Sequence, residues 1–458
     1  MRRKNLSGWF VFPIFVFCFF SESFGITTIK ADDPNFQYTG RIDFSIPDQP
    51  TLFWPGTYIS ANFEGSLLFL LLDDKTGQSF YDIFIDEDYD NPHVIDCQAG
   101  SKIYVISTSL SDTVHNLLIF RRTEASTGST KFLGIYLNDG KTLLAPPERP
   151  KYKILFYGDS ITCGYGNEAP DNGADDNMAQ ENNFLAYGAV ASRLLNTDYM
   201  CIAKSGIGIM ISWFNMVMSQ YYYRLNPDDP TSNWDFSQFI PDVVAINLFQ
   251  NDSWLLGTRD SSKITNAYID FAREIRLRHP DAFIVCSLGS MDATRAGSAW
   301  PGYIEAAVKY LQNTENDTKI GTYFFPFNPN WTKHPRVRHH QVMGQDLASF
   351  ISNKMGWIIN DIENNPIEQS PINFELSQNF PNPFNPTTKI NYQLQKNSFV
   401  SVHIFDLLGS KIASLVNKEQ TAGNYQIDFN GSGLSSGVYF YRLHAGDFVE
   451  IKKMMLAK

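Results

Sequence analysis

Five apolar runs of strand length recur between residues 151 and 357, at 154–157, 200–203, 243–248, 283–288 and 322–325, with helical patterns between them. One helix is legible in detail. Ile264, Tyr268, Phe271 and Ile275 fall on one face, and Ser261 or Ser262 can cap its start. Strand–helix alternation of this kind implies a parallel sheet covered by helices. In such sheets ligands bind beyond the carboxyl ends of the strands.

The flanks have a different rhythm. In residues 26–148, Ile59, Ala61 and Phe63 alternate with Ser60 and Asn62, the period of a half-buried strand. Runs at 67–72, 81–85, 103–106, 117–120 and 132–137 follow, with no clear helix, so a β-sandwich or jelly roll is expected. Ala145-Pro146-Pro147-Glu148-Arg149-Pro150 is a stiff connector into the strand–helix region, 149–357. Residues 358–373 read as a linker. Residues 374–458 return to β patterning: Val400, Val402 and Ile404 alternate, as do Tyr439, Tyr441 and Leu443. A small β-sandwich suits that length. The chain is thus expected to be multidomain, which its 458 residues require.

The amino terminus points to export. Arg2, Arg3 and Lys4 precede an apolar run at 9–20, and Ser23 and Gly25 supply small residues near a cleavage point. Residues 1–25 are expected to be a signal peptide. The run is short for a membrane span, and no stable membrane insertion is expected. The formal net charge is −11 and no stretch gathers Lys and Arg on one face, so nucleic acid is not an expected partner. Cys97, Cys163, Cys201 and Cys286 remain after export; buried free thiols are expected over disulfides. No CxxC or Cys/His cluster suggests a metal, and no cofactor is expected.

Four motifs carry chemistry, each after a strand-like run. Gly158-Asp159-Ser160-Ile161-Thr162-Cys163-Gly164-Tyr165-Gly166 places a serine at a strand-to-helix turn, where its N–H and hydroxyl face one space. A serine that only caps a helix is the competing reading. Ala203-Lys204-Ser205-Gly206-Ile207-Gly208 offers a glycine whose N–H can approach a substrate oxygen, or an ordinary turn. Phe249-Gln250-Asn251-Asp252 offers an amide donor, or an Asx turn. Lys333-His334-Pro335 offers a general base before a helix. His339 and His340 read as structural or surface residues, and His279 as a cation at a helix end.

In that order the four motifs resemble the four blocks of SGNH/GDSL hydrolases. Residues 35–357 more closely resemble carbohydrate esterase family 2, which deacetylates plant polysaccharides and pairs a jelly roll with an SGNH domain. Arg121-Arg122-Thr123-Glu124, the serine motif, Trp234-Asp235-Phe236 before Pro241-Asp242-Val243-Val244, and His334-Pro335 carry this. The resemblance implies Ser160 as nucleophile and His334 as base. Ser160, Gly208 and Asn251 would supply the oxyanion hole, with no metal. The family's aspartate three residues before the histidine is replaced by Trp331, which implies a Ser160–His334 dyad with a backbone carbonyl orienting the ring. Phe249 replaces a glycine and is expected to narrow the pocket or stack on sugar. Trp254, Trp300 and Trp331 are candidates for the substrate groove, with core packing as the competing reading. The acidic cluster at 82–90 and the pair Asp175-Asp176 read as solvated loops rather than calcium sites.

The tail, from Leu376-Ser377-Gln378-Asn379-Phe380-Pro381 to Lys452-Lys453-Met454-Met455-Leu456, resembles type IX secretion sorting domains with an Ig-like β fold. The implied protein is a secreted or surface-attached O-acetyl esterase. Its expected partners are acetylated xylan or glucomannan and the type IX machinery, and it is expected to be a monomer. Two rivals stand beside it: another SGNH esterase, lipase-like or acting on peptidoglycan acetyl groups, and a carbohydrate-binding protein with an impaired centre.

Overall fold

The structure, a computed structural model, describes residues 25–171, 173–327, 333–359, 375–376, 378–379, 381–394, 398–407, 409–421, 423–446 and 448–457. The export segment up to residue 24, Trp331 and the linker positions 360–373 lie outside the described residues. The chain divides into two compact units, Met1–Ile358 and Ile359–Lys458.

At the centre of the first unit is a five-stranded sheet in the order Thr197–Ala203, Tyr152–Gly158, Val243–Asn247, Phe283–Leu288, Ile320–Phe324, and every neighbouring pair is parallel. Helices cover it, so its inner strands are apolar on both faces. Ile154, Leu155, Phe156 and Tyr157 are all buried. The strand order reverses at Tyr152–Gly158, whose sequence successor lies on one side and Val243–Asn247 on the other. A crevice opens beyond the carboxyl end of a strand at such a point.

The helix Ser261–Arg278 buries Ile264, Tyr268, Phe271 and Ile275, the face its periodicity predicts. Its cap is Asp260 rather than Ser261 or Ser262: the Asp260 carboxylate accepts the N–H groups of Ser262 and Lys263 at 3.1 and 3.2 Å. His279 ends this helix but is no cation. Burial, helped by Arg41, Arg276 and Arg278, pushes it down to about 4.

Before the parallel sheet come two six-stranded antiparallel sheets, one around Leu68–Asp74 and Thr130–Asn138, the other around Tyr58–Glu64 and Val114–Arg121. Alternate residues of both, including Ile59, Ala61, Phe63, Leu68, Leu70 and Leu72, enter one core. The acidic stretch after residue 81 is less solvated than its composition suggests. Asp82 is buried against Arg122 at 3.0 Å, and Asp86 holds the His115 ring at 2.7 Å.

Two side chains from this β region plug into the α/β region. The Trp54 indole donates to the Leu225 carbonyl at 2.7 Å. Arg41, 0 % exposed, donates to the Tyr222 and Arg224 carbonyls at 2.6 and 2.8 Å, ringed by the faces of Trp54, Trp234 and Phe236.

The second unit holds antiparallel sheets of three and four strands. Ile390, Tyr392, Val400, Val402, Ile404, Tyr441 and Leu443 fill its core. Cys97, Cys163, Cys201 and Cys286 are buried free thiols. Among the described residues no helix is long and apolar enough to cross a membrane.

Arg41→Ala strands two buried carbonyls and empties a filled site. Because charged hydrogen bonds are worth about 1.5–3 kcal/mol each, it should cost on the order of 3 kcal/mol in urea unfolding. A loss within 0.5 kcal/mol, the ordinary scatter of about that size for surface changes, would remove Arg41 as the clasp.

Candidate active site

The nucleophile turn is built by small residues and one cap. Tyr152–Gly158 ends in a glycine whose Cβ would lie 1.9 Å from the Thr162 hydroxyl, so no larger residue fits. Asp159 caps the single turn Ser160–Cys163 by accepting the Ile161 N–H at 3.0 Å. Gly164, at φ +84°, ends that turn at once. Ser160 is left as the first helical residue, 5 % exposed, over the end of the strand.

His334 arrives from the loop after the last parallel strand. The Ser160 hydroxyl meets His334 Nε2 at 2.9 Å, and His334 Nδ1 meets Asp175 Oδ2 at 2.9 Å. The expected dyad with a backbone carbonyl is therefore corrected. The ring is oriented by a carboxylate, which also accepts the His334 N–H at 3.2 Å. Asp175 in turn is anchored by buried Arg336, whose guanidinium donates to its Oδ1 and to the Gly166 carbonyl, both at 2.6 Å. Burial alone would raise the Asp175 carboxyl; the bonds from His334 and Arg336 outweigh it and hold it well below the usual range. His339 and His340 are buried and neutral, each pushed down to about 3 by burial, and they bond to the Arg336 and Tyr187 amides.

The opposite side of Ser160 is lined by the loop after Thr197–Ala203. The glycine expected as a donor, Gly208, is already engaged. The Gly208 N–H is taken by the Ser212 hydroxyl at 3.0 Å. Gly206 sits third in a turn closed by the Ile207 N–H on the Lys204 carbonyl at 3.2 Å, with φ +82°. That is the left-handed position a type II turn reserves for glycine. Among the described residues the Gly206 N–H has no acceptor. Asn251 is buried beside it. Its amide donates to the Ile207 carbonyl at 2.8 Å and lies 3.4 Å from Asp159 Oδ2, while its oxygen accepts the Trp213 indole at 3.0 Å. Asp252 accepts three consecutive amides, Ile209, Met210 and Ile211, at 3.1, 2.7 and 3.1 Å.

A serine, a carboxylate-oriented imidazole and convergent donors form the equipment of acyl transfer. Residues 38–147 match the family model "Carbohydrate esterase 2 N-terminal", and residues 378–457 match "Secretion system C-terminal sorting domain". A solved family two carbohydrate esterase from Clostridium thermocellum, in complex with cellohexaose, is 32% identical, with a TM-score of 0.63 over 70% of this chain and 100% of that one. The chain belongs to carbohydrate esterase family 2. The cellulase/esterase CelE of Acetivibrio thermocellus is 33% identical over 349 residues, which are 72% of this chain and 41% of CelE, so the chain spans about two fifths of that relative. An acetylxylan esterase / glucomannan deacetylase of Cellvibrio japonicus is 26% identical over 72% of this chain and 92% of its own length. The sorting domain marks this family 2 chain for export to the medium or cell surface.

Within the family 2 site, two expected substrate aromatics are not available. Phe249 is 0 % exposed and packs on Tyr268 and Trp300 at 5.2 and 5.1 Å between ring centres. It holds φ +90° just before the Gln250–Leu255 helix, so a backbone suited to glycine is stabilised by the ring's burial. Trp300 is 1 % exposed and belongs to the same core. Trp254 is 42 % exposed, its indole on Asp292 at 2.9 Å. Trp213, not singled out from sequence, is 63 % exposed and hydrogen-bonded to Asn251. Asp175, Arg336, Asp252 and Gly206 were also missed as site residues. Among the described residues no group of His, Cys, Asp or Glu is arranged to hold a metal ion.

Two tests follow from this geometry. Asp175→Ala should lower kcat on 4-nitrophenyl acetate by up to about 10⁴, the loss seen when a triad acid is replaced; a kcat within twofold of wild type would return His334 to a dyad. Asp159 is buried, which pushes its carboxyl up to about 7 against an ordinary value near 4. A raised acid binds its proton more tightly in the folded state, so folding stability falls as pH rises through that window and levels off above it. Asp159→Asn keeps the cap for Ile161 and deletes the titration. Urea unfolding from pH 4 to 8 should show the variant gaining on wild type up to about pH 7; a pH-independent difference would contradict the burial of a titrating Asp159.

Proposed function

We propose that this family 2 protein is an exported serine O-acetyl esterase that removes acetyl groups from plant polysaccharide of the xylan or glucomannan type. The observation that carries this is the relay Ser160–His334–Asp175, with both contacts at 2.9 Å. His334 accepts the Ser160 proton as Oγ bonds to the acetyl carbonyl carbon. The oxyanion receives the N–H groups of Ser160 and Gly206 and the second Asn251 amide hydrogen, the one on the long 3.4 Å contact to Asp159, each donor of this kind typically worth ~10²–10³ in rate. Collapse breaks the bond to the sugar oxygen, which takes the proton from His334 and leaves as an alcohol. Water then attacks the acetyl-serine and gives its proton to His334, which returns it to Ser160 as acetate departs.

The relatives' names, acetylxylan esterase / glucomannan deacetylase and cellulase/esterase, support the substrate class. Exposed Trp213, fixed by Asn251, offers a flat face for a sugar ring beside the acetyl site; Trp254 is a second, more distant candidate. We read the antiparallel sheets before the catalytic sheet as a jelly-roll sandwich and those of the tail as an Ig-like one. One chain supplies every group in this chemistry, which agrees with a monomer.

The test is acetate release from acetylated xylan and acetylated glucomannan. Ser160→Ala should abolish it, and His334→Ala should be nearly as severe, since the two act as one unit. His339→Ala and His340→Ala should damage folding more than kcat. Full activity in Ser160→Ala, or sugar binding by wild type without any acetate release, would overturn the esterase reading.

A further inference from the structure

We infer that Glu124, a residue of the β region that precedes the catalytic sheet, positions the oxyanion loop, so that the catalytic centre is completed across the junction of the two regions. This rests on the esterase reading above. Glu124 is 3 % exposed. Its Oε2 accepts the Ser205 N–H at 2.8 Å and the Cys163 thiol at 3.7 Å, so one oxygen touches both the oxyanion loop and the nucleophile's own turn. Its main-chain N–H is in turn held by Glu181 Oε1 at 2.6 Å.

Ser205 is the second residue of the turn 204–207, and the next amide in line is the free Gly206 N–H. The rest of that turn is pinned elsewhere. The Lys204 N–H donates to the Gly158 carbonyl at 3.2 Å, the Gly206 carbonyl accepts the Trp213 N–H at 3.0 Å, and the Ile207 carbonyl accepts Asn251. Glu124 therefore supplies the acceptor for the amide immediately before Gly206. Without it a partly buried N–H is left unpaired, and the cheapest remedy is to rotate the turn until that N–H finds a partner. Rotation carries the Gly206 donor with it. A displacement of about 1 Å at such a donor costs on the order of 10²-fold in rate.

Glu124 acts through the loop and touches no substrate, so the test separates kcat from KM. Glu124→Leu should lower kcat on 4-nitrophenyl acetate by about 10–100-fold with KM within about threefold. Glu124→Gln keeps an oxygen acceptor for Ser205 and should restore kcat to within about threefold of wild type. Amide hydrogen exchange across residues 204–211 reads the same contact without any activity: slow in wild type and Glu124→Gln, faster in Glu124→Leu. If Glu124→Leu does not fold, Glu124→Met removes the oxygen acceptor with a flexible side chain of similar length and should give the same loss of kcat. Wild-type kcat in Glu124→Leu or Glu124→Met, or unchanged exchange across the loop, overturns the inference. A wild-type protein lacking Ser160-dependent esterase activity overturns the esterase reading instead, and the exchange measurement still decides whether Glu124 holds the loop.

Discussion

A donor can stabilise a developing oxyanion only if its backbone is already fixed, because any rearrangement during the reaction consumes the benefit. In this protein the loop that carries the proposed donor is held beyond Ile207 by Asp252, whose carboxylate takes three consecutive amides. Asn251, the residue before it, takes the Ile207 carbonyl. Both stand on the short helix Gln250–Leu255 at the end of the strand next to the nucleophile strand. Two adjacent side chains on one strand end thus grip the loop that leaves another. The Asp159–Ser160 turn lies between them in the sheet, so three adjacent strand ends hold this side of the site, and His334 comes from beyond the edge strand Ile320–Phe324.

This explains which parts of the site were legible in the sequence. Ser160 and Asn251 follow closely after strands, and strands buried on both faces announce themselves as apolar runs, whereas His334 lies in the loop between Ile320–Phe324 and Val337–Met355 and is marked by its residue type beside Pro335. Asp175 has neither signal. It lies on a loop between helical turns, 159 residues before the histidine it orients, with no periodicity to mark it. The order of motifs along the chain fixes which strand ends carry chemistry, but not which loop folds back over them. Whether Gly208 is free to donate is hidden from the sequence for a related reason. It depends on which amide a hydroxyl such as Ser212 has already claimed, a contact that spacing cannot reveal. Phe249 was misjudged because a large ring near a catalytic asparagine suggests a pocket wall. Its left-handed backbone turns the ring inward, where Tyr268 and Trp300 bury it.

The junction between the β and α/β regions follows a different logic from the core. Arg41 is fully buried, and its guanidinium meets backbone carbonyls and aromatic faces rather than a carboxylate. Burial lowers it only to about 10, so it stays charged at neutral pH. Arg122 instead pairs with buried Asp82 and with Glu168. Buried polar groups placed there find partners both within the β region and across the junction. Such an interface has little freedom to slide, because a small shift unpairs several buried groups at once. A rigid junction is what allows a carboxylate from one region to serve as a reference point for a loop of the other.

Asp175 shows how the protein divides one charge between two tasks. Its Oδ1 is committed to Arg336 and its Oδ2 to His334. The guanidinium neutralises part of the field that the carboxylate would otherwise project onto a protonated ring. If charge were the main service of the third residue, this arrangement would be wasteful. If orientation is the main service, it is sensible: Arg336 also grips the carbonyls of Gly166 and Gly173, so it ties the Asp175 loop to the segment that follows the nucleophile turn. His334 is then aimed at Ser160 by a carboxylate whose own position is set from the nucleophile's side. The geometry therefore favours tautomer and direction over electrostatic push, which is also how a serine–histidine pair without any acid can operate in principle.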